Sequence, residues 1–144
     1  MKAGDIVFVK GSSLVSRLIQ YFDKGEFTHV ALALDDKHVI EADRFKRVSI
    51  EHMHYTDYEI VSFPEDAFFL AQNAYSFIGK KYDYLQVLSY AMKRLFRLGV
   101  LNNPNALICS ELIAEILGRE DLKNSTPNEL YRALTNQQGA RHFI

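Results

Sequence analysis

The apolar positions first gather at residues 6–9, IVFV, a short run introduced by Gly4 and Asp5 and suited to a buried strand. Ser12 or Ser13 can then cap a helix in which Leu14, Val15, Leu18, Ile19 and Phe22 fall on one face. Asp23, Lys24 and Gly25 end it. Residues 28–42, THVALALDDKHVIEA, read as a strand, a tight turn and a second strand. The rest of the chain is organised around this hairpin. Residues 47–50 and 58–63 are expected to be further strands, joined by a loop rich in His and Tyr.

Helical patterns fill the second half. Pro64 suits a first turn, Glu65 and Asp66 suit the positive helix end, and Gly79 suits a stop. Phe68, Phe69, Ala71, Gln72, Tyr75 and Ile78 give the expected apolar face. A second helix is expected over 83–98, closed by Gly99. Residues 102–105 form a loop before the segment ICSELIAEIL, whose helix stops at Gly118. Thr126-Pro127-Asn128-Glu129 is a capping box with proline at the first helical position, predicting a short helix to about Leu134.

Turn length decides what the hairpin can do, because strand side chains alternate between faces. With a three-residue loop, Asp35 to Lys37, Leu34 pairs with His38 and Ala31 with Glu41. His29 and Glu41 then share a face as diagonal neighbours. Ala31 and Ala33 on that face are small and leave room beside the imidazole. Val30, Leu32, Leu34, Ile40 and Ala42 form the opposite face. A two-residue turn, Asp36-Lys37, would move Glu41 onto the leucine face, where a carboxylate is desolvated without a partner. The pattern favours the three-residue loop, although Asp-Asp-Lys lacks the glycine that such loops prefer.

Composition narrows the classes. The 144 residues fit one domain, residues 1–144, able to bury a core without covalent staples. A formal net charge of −1 gives no field favouring nucleic acid or an anionic membrane. The single cysteine, Cys109, cannot make an intramolecular disulfide. MKAGDIVFVKGSS is not a secretory leader, and no apolar run reaches the roughly 20 residues of a spanning helix, so a cytoplasmic start is expected.

The candidate chemistry lies in three residues. A lone cysteine is usually a small buried apolar residue. Cys109, however, is expected near a helix start, with Leu112, Ile113 and Ile116 on the inner face. There the N–H dipoles and a nearby histidine would favour a thiolate, and its own N–H would be a natural oxyanion donor. Cysteine, histidine and carboxylate would make a nucleophile, a general base and an orienting group. His52 and His54 alternate in a loop, but no third ligand stands at metal-binding spacing. His38 falls beside the turn and His142 in the tail.

The segments AGDIVFV, THVALAL, HVIEA, Gly79 with Tyr82-Asp83, CSEL at 109–112 and STPNEL at 125–130 follow in an order that resembles a known family. It is the circularly permuted, papain-fold, YiiX-like branch of the NlpC-type cell-wall peptidase superfamily, and the resemblance covers nearly the whole chain. It implies an α+β, permuted papain-like fold with a central antiparallel sheet and packed helices. It further implies Cys109 as nucleophile, His29 as base, Glu41 as the residue fixing the imidazole, and Tyr82 beside the nucleophile as a substrate-binding residue. Asp5, in the GD motif, is read as structural. No cofactor and no metal is implied.

The expected partner is a peptide or acyl substrate. Wall-peptide amidases of the superfamily would suit the charges of Asp43, Arg44, Lys46 and Arg47, although such a cluster is more often a solvated loop. Lipid acyltransferases and thioesterases are the alternative; AMKRLFRLGVL at 91–101 could lie on a membrane interface, although a core-facing helix with a basic outer side is the commoner use. A third possibility is a catalytically silent binding domain retaining the fold.

Overall fold

The computed structural model describes residues 1–11, 25–42, 47–63, 66–81 and 104–141. The helices expected over 14–22 and 83–98, the charged residues Asp43, Arg44 and Lys46, and the 91–101 stretch lie outside the described residues. Within them the architecture is α+β. Strands β1 (Ile6–Lys10), β2 (Phe27–Ala33), β3 (His38–Glu41), β4 (Ser49–His52) and β5 (Tyr58–Val61) form one antiparallel sheet in the order β4-β3-β2-β1-β5. Helices α1 (Ala67–Tyr75), α2 (Pro104–Ile116) and α3 (Pro127–Arg141) follow, with a 3₁₀ turn at Glu120–Leu122.

The hairpin has the three-residue loop. Leu32 pairs with Ile40 and Ala33 with Val39, and the Leu34 N–H donates to the His38 carbonyl at 2.8 Å. The absent glycine is replaced by an Asp-centred turn. Asp35 Oδ1 accepts from the backbone N–H groups of Lys37 and His38, both at 2.7 Å, and satisfies donors that the turn leaves open.

This register sorts side chains onto two faces. Ile6, Phe8, Val30, Leu32 and Ile40 join the larger core with Leu112, Ile113 and Ile116 of α2 and Leu130 and Leu134 of α3. Val7, Val9, Ala31, Ala33 and Val39 make a smaller cluster, against which Met1, Met53 and Tyr55 pack. One irregularity interrupts the alternation. Val9 pairs with His29 but Lys10 with Phe27, so Thr28 is an extra residue in β2. The bulge lets Phe27 join the helix-side core while His29 keeps the phase of Ala31.

Two glycines are dictated by close approach. Gly4 has φ +83°, and a Cβ there would stand 2.5 Å from the Ala67 backbone at the start of α1. A Cβ on Gly25 would stand 2.2 Å from the Asn128 side chain. That side chain is buried and doubly bonded: Oδ1 accepts from the Phe27 N–H and Nδ2 donates to the Phe27 carbonyl, both at 2.9 Å. Asn128 thereby acts as a strand neighbour for the first residue of β2. The capping box before it is formed, with Thr126 N–H on Glu129 Oε2 at 2.9 Å and Glu129 N–H on Thr126 Oγ1 at 3.3 Å. Asp5 leads into β1 by accepting from the Lys2 N–H at 2.7 Å and the Ser62 hydroxyl at 2.5 Å.

Several boundaries and one face differ from expectation. The first β-strand after the hairpin is 49–52 rather than 47–50, because Val48 is bonded to residues 79 and 80 instead. Strand β5 stops at Val61, and α3 runs on to Arg141, well past Leu134. Helix α1 is shorter than 64–79 and turns the other way round. Leu70 and Ala74 are its buried residues, whereas Phe68, Phe69, Tyr75 and Ile78 are 81%, 66%, 53% and 45% exposed. The 70/74 stripe is equally periodic, and the inward face is held by the approach of Ala67 to Gly4 and by Asn73 Nδ2 donating to the Ile116 carbonyl at 2.8 Å.

Candidate functional site

His29 is the junction of the two cores. Its Nε2 lies 2.9 Å from Glu41 Oε2, as the shared face requires. Cys109, a member of the helix-side core, is both a hydrogen-bonding and a charge partner of the same ring. The three residues singled out from the sequence are therefore brought together, although His29 and Cys109 are 80 positions apart.

His29 and Glu41 each take their charge preference from their neighbours. Burial works against a protonated His29 and is the largest single influence. The Cys109 sulfur, through charge and hydrogen bond, and then Glu41 outweigh it, raising the imidazole from 6.5 to about 10. Burial would likewise push Glu41 up. The hydrogen bond and charge of His29, the Tyr55 hydroxyl and the charge of His54 instead hold it below the usual carboxylate range. The imidazole thus stands between two groups that favour its proton.

The position of Cys109 in its helix corrects one expectation. Helix α2 begins at Pro104, so Cys109 lies five residues further on and outside the first turn. Its N–H belongs to the helical ladder rather than to the open donors, and the dipole effect has largely faded there. The helix end therefore has little hold on the sulfur, and the Cys109 N–H is not among the open donors of the first turn. The sulfur-bearing residue has 0% accessible surface, while the His29 side chain keeps 18%.

Tyr55 is the residue that sequence reasoning missed. Its hydroxyl donates to Glu41 Oε2 at 2.7 Å, the same oxygen that meets His29. The only signal was a tyrosine in the His- and Tyr-containing loop, which has no periodicity to place it. Tyr82 lies outside the described residues. Arg47 donates to the Gly79 carbonyl at 2.9 Å, a structural bond between the β4 approach and the end of the α1 segment. The His52 and His38 rings meet tilted with centroids 4.4 Å apart, and the His54 and Tyr55 rings likewise at 4.2 Å. Among the described residues no three His, Cys, Asp or Glu side chains are grouped to hold a metal ion, and no helix is long and apolar enough to cross a membrane.

The chain matches no protein-family model and no curated protein sequence. The site itself brings a thiol and a carboxylate to one imidazole, with a phenol hydroxyl on the carboxylate.

Proposed function

We propose that the chain is a cysteine hydrolase that cleaves amide bonds through an acyl-enzyme, in a circularly permuted papain-like fold of the NlpC type. The observation that carries this reading is His29 held between Cys109 and Glu41. The Cys109 thiolate attacks the substrate carbonyl carbon. His29 gives its proton to the leaving amine nitrogen as the C–N bond breaks, leaving a thioester. Neutral His29 then takes a proton from water, whose oxygen attacks the thioester and releases the acid. The thiolate–imidazolium pair is restored. Glu41 holds the ring orientation throughout. With 0% of Cys109 accessible at rest, the reaction requires local opening over the sulfur.

Peptides of the bacterial wall are the proposed substrates, by resemblance of the motif order to wall amidases. The exposed Phe68, Phe69, Tyr75 and Ile78 favour a second reading, a lipid acyltransferase or thioesterase, because exposed apolar side chains suit an acyl chain or a lipid surface. Turnover separates them. Hydrolysis of γ-D-glutamyl–diamino acid peptides, absent in Cys109→Ala, supports the first. Cleavage of acyl thioesters or phospholipid esters alone supports the second. No turnover of either, with an unreactive thiol, would leave a silent binding domain.

A further inference from the structure

We infer that Tyr55 is a positioning residue of this site: its hydroxyl fixes Glu41 as the ionised, singly oriented acceptor for the His29 imidazolium. The inference deepens the acyl-transfer reading and rests on it for its catalytic consequence. Glu41 Oε2 takes two hydrogen bonds, from Tyr55 at 2.7 Å and from His29 at 2.9 Å. A buried carboxylate facing an imidazolium alone would tend to take its proton, because a neutral pair is cheaper to bury than an ion pair. That transfer would leave a neutral imidazole beside the sulfur and weaken the thiolate. A phenol donor opposes this by stabilising the carboxylate anion without bringing charge of its own.

The loop that carries Tyr55 is held for this purpose. The Met53 N–H donates to the Lys37 carbonyl at the hairpin tip, at 2.7 Å. The His54 ring lies 4.2 Å from the Tyr55 ring, and the His29 ring 5.6 Å from it. Tyr55 also packs against Val7, Val9, Ala31, Ala33 and Val39. Phenylalanine would serve that packing equally well, so the hydroxyl points to a polar task. Among the described residues, the charged and titratable groups facing Glu41 are His29 from β2, Cys109 of α2 through His29, and Tyr55 and His54 from the loop. From β4, Ser49 pairs opposite Glu41 and holds Glu51 by its hydroxyl at 2.8 Å.

The test is the Tyr55→Phe variant, which keeps the ring and its packing. Nitrogen-15 NMR of the His29 ring, assigned with His29→Ala, follows protonation of Glu41 without needing a substrate. Glu41→Gln, in which the acid-side step vanishes, assigns that step. In Tyr55→Phe the step should move to higher pH by about one to two units, the scale of one hydrogen bond to a charged group. Turnover at the acid end should fall several-fold through kcat, with KM unchanged. An acid-side step at the same pH in Tyr55→Phe and wild type would overturn the inference. A shifted step in a protein that turns over no substrate would leave the positioning role standing and reject the acyl-transfer reading alone.

Discussion

The two faces of the sheet use the same five strands for different ends. Toward α2 and α3 the side chains are large, and they interlock: Phe8, Phe27 and Tyr131 meet with ring centroids 4.6 to 5.4 Å apart. Toward the other side they are small, Ala31, Ala33 and three valines, with Glu41 and Tyr55 among them. Volume fills the first face, and its contribution is stability. Small residues on the second leave space for an ionised pair that a tighter core would exclude. His29 stands beside the bulge where both meet, so its sulfur partner comes from one face and its carboxylate partner from the other.

If that division is right, substitutions on the two sides separate activity from stability. The largest effect belongs to the junction. Cys109→Ala or His29→Ala should each lower kcat/KM by about 10³-fold or more, as loss of a nucleophile or its base does, while Cys109→Ala retains a cooperative melt. Leu32→Ala, on the helix side, should cost about 2–5 kcal/mol in denaturant unfolding and leave kcat of the folded fraction close to wild type. Asn128→Ala comes next. It strips both Phe27 backbone groups of their partners and should cost about 2–4 kcal/mol by the same measurement. Phe68→Ser should change stability by no more than about 0.5 kcal/mol, since 81% of Phe68 is exposed. A loss of 2 kcal/mol there, about what burial of such a side chain is worth, would mean that α1 faces inward as its sequence pattern suggested.

Charge at the junction also sets a pH window. His29 binds its proton more tightly folded than unfolded. Its contribution to stability is full below the ordinary imidazole value of 6.5 and is lost as pH rises toward about 10. Glu41 acts in the opposite sense. Its contribution is full above the ordinary 4.5 and is lost as pH falls through its lowered folded value.

The hairpin was legible because strand alternation has a period of two, so one choice of turn length placed His29, Glu41 and five apolar residues at once. Asp35 explains how a loop without glycine takes that length. The α1 face was not legible, since Phe68 and Phe69 are more apolar than Ala74 and the face is tied down by long-range contacts, Ala67 against Gly4 and Asn73 on the Ile116 carbonyl. Tyr55 and Asn128 were missed for a related reason. Each acts through a hydrogen bond to a distant residue, 14 and 101 positions away, and neither leaves a periodic trace. The Cys109 segment was read as a helix from its apolar spacing, but the residue lies a turn deeper in it than the loop residues suggested.

The most direct test of the junction is the rate at which iodoacetamide alkylates Cys109 in the folded protein between pH 5 and pH 10.5, in wild type and in His29→Ala. A thiolate–imidazolium pair predicts appreciable alkylation below pH 7, a rate nearly flat through neutrality, and a marked slowing at low pH in His29→Ala. A thiol that reacts only as fast as the protein unfolds, or with one pH profile in both proteins, would contradict it.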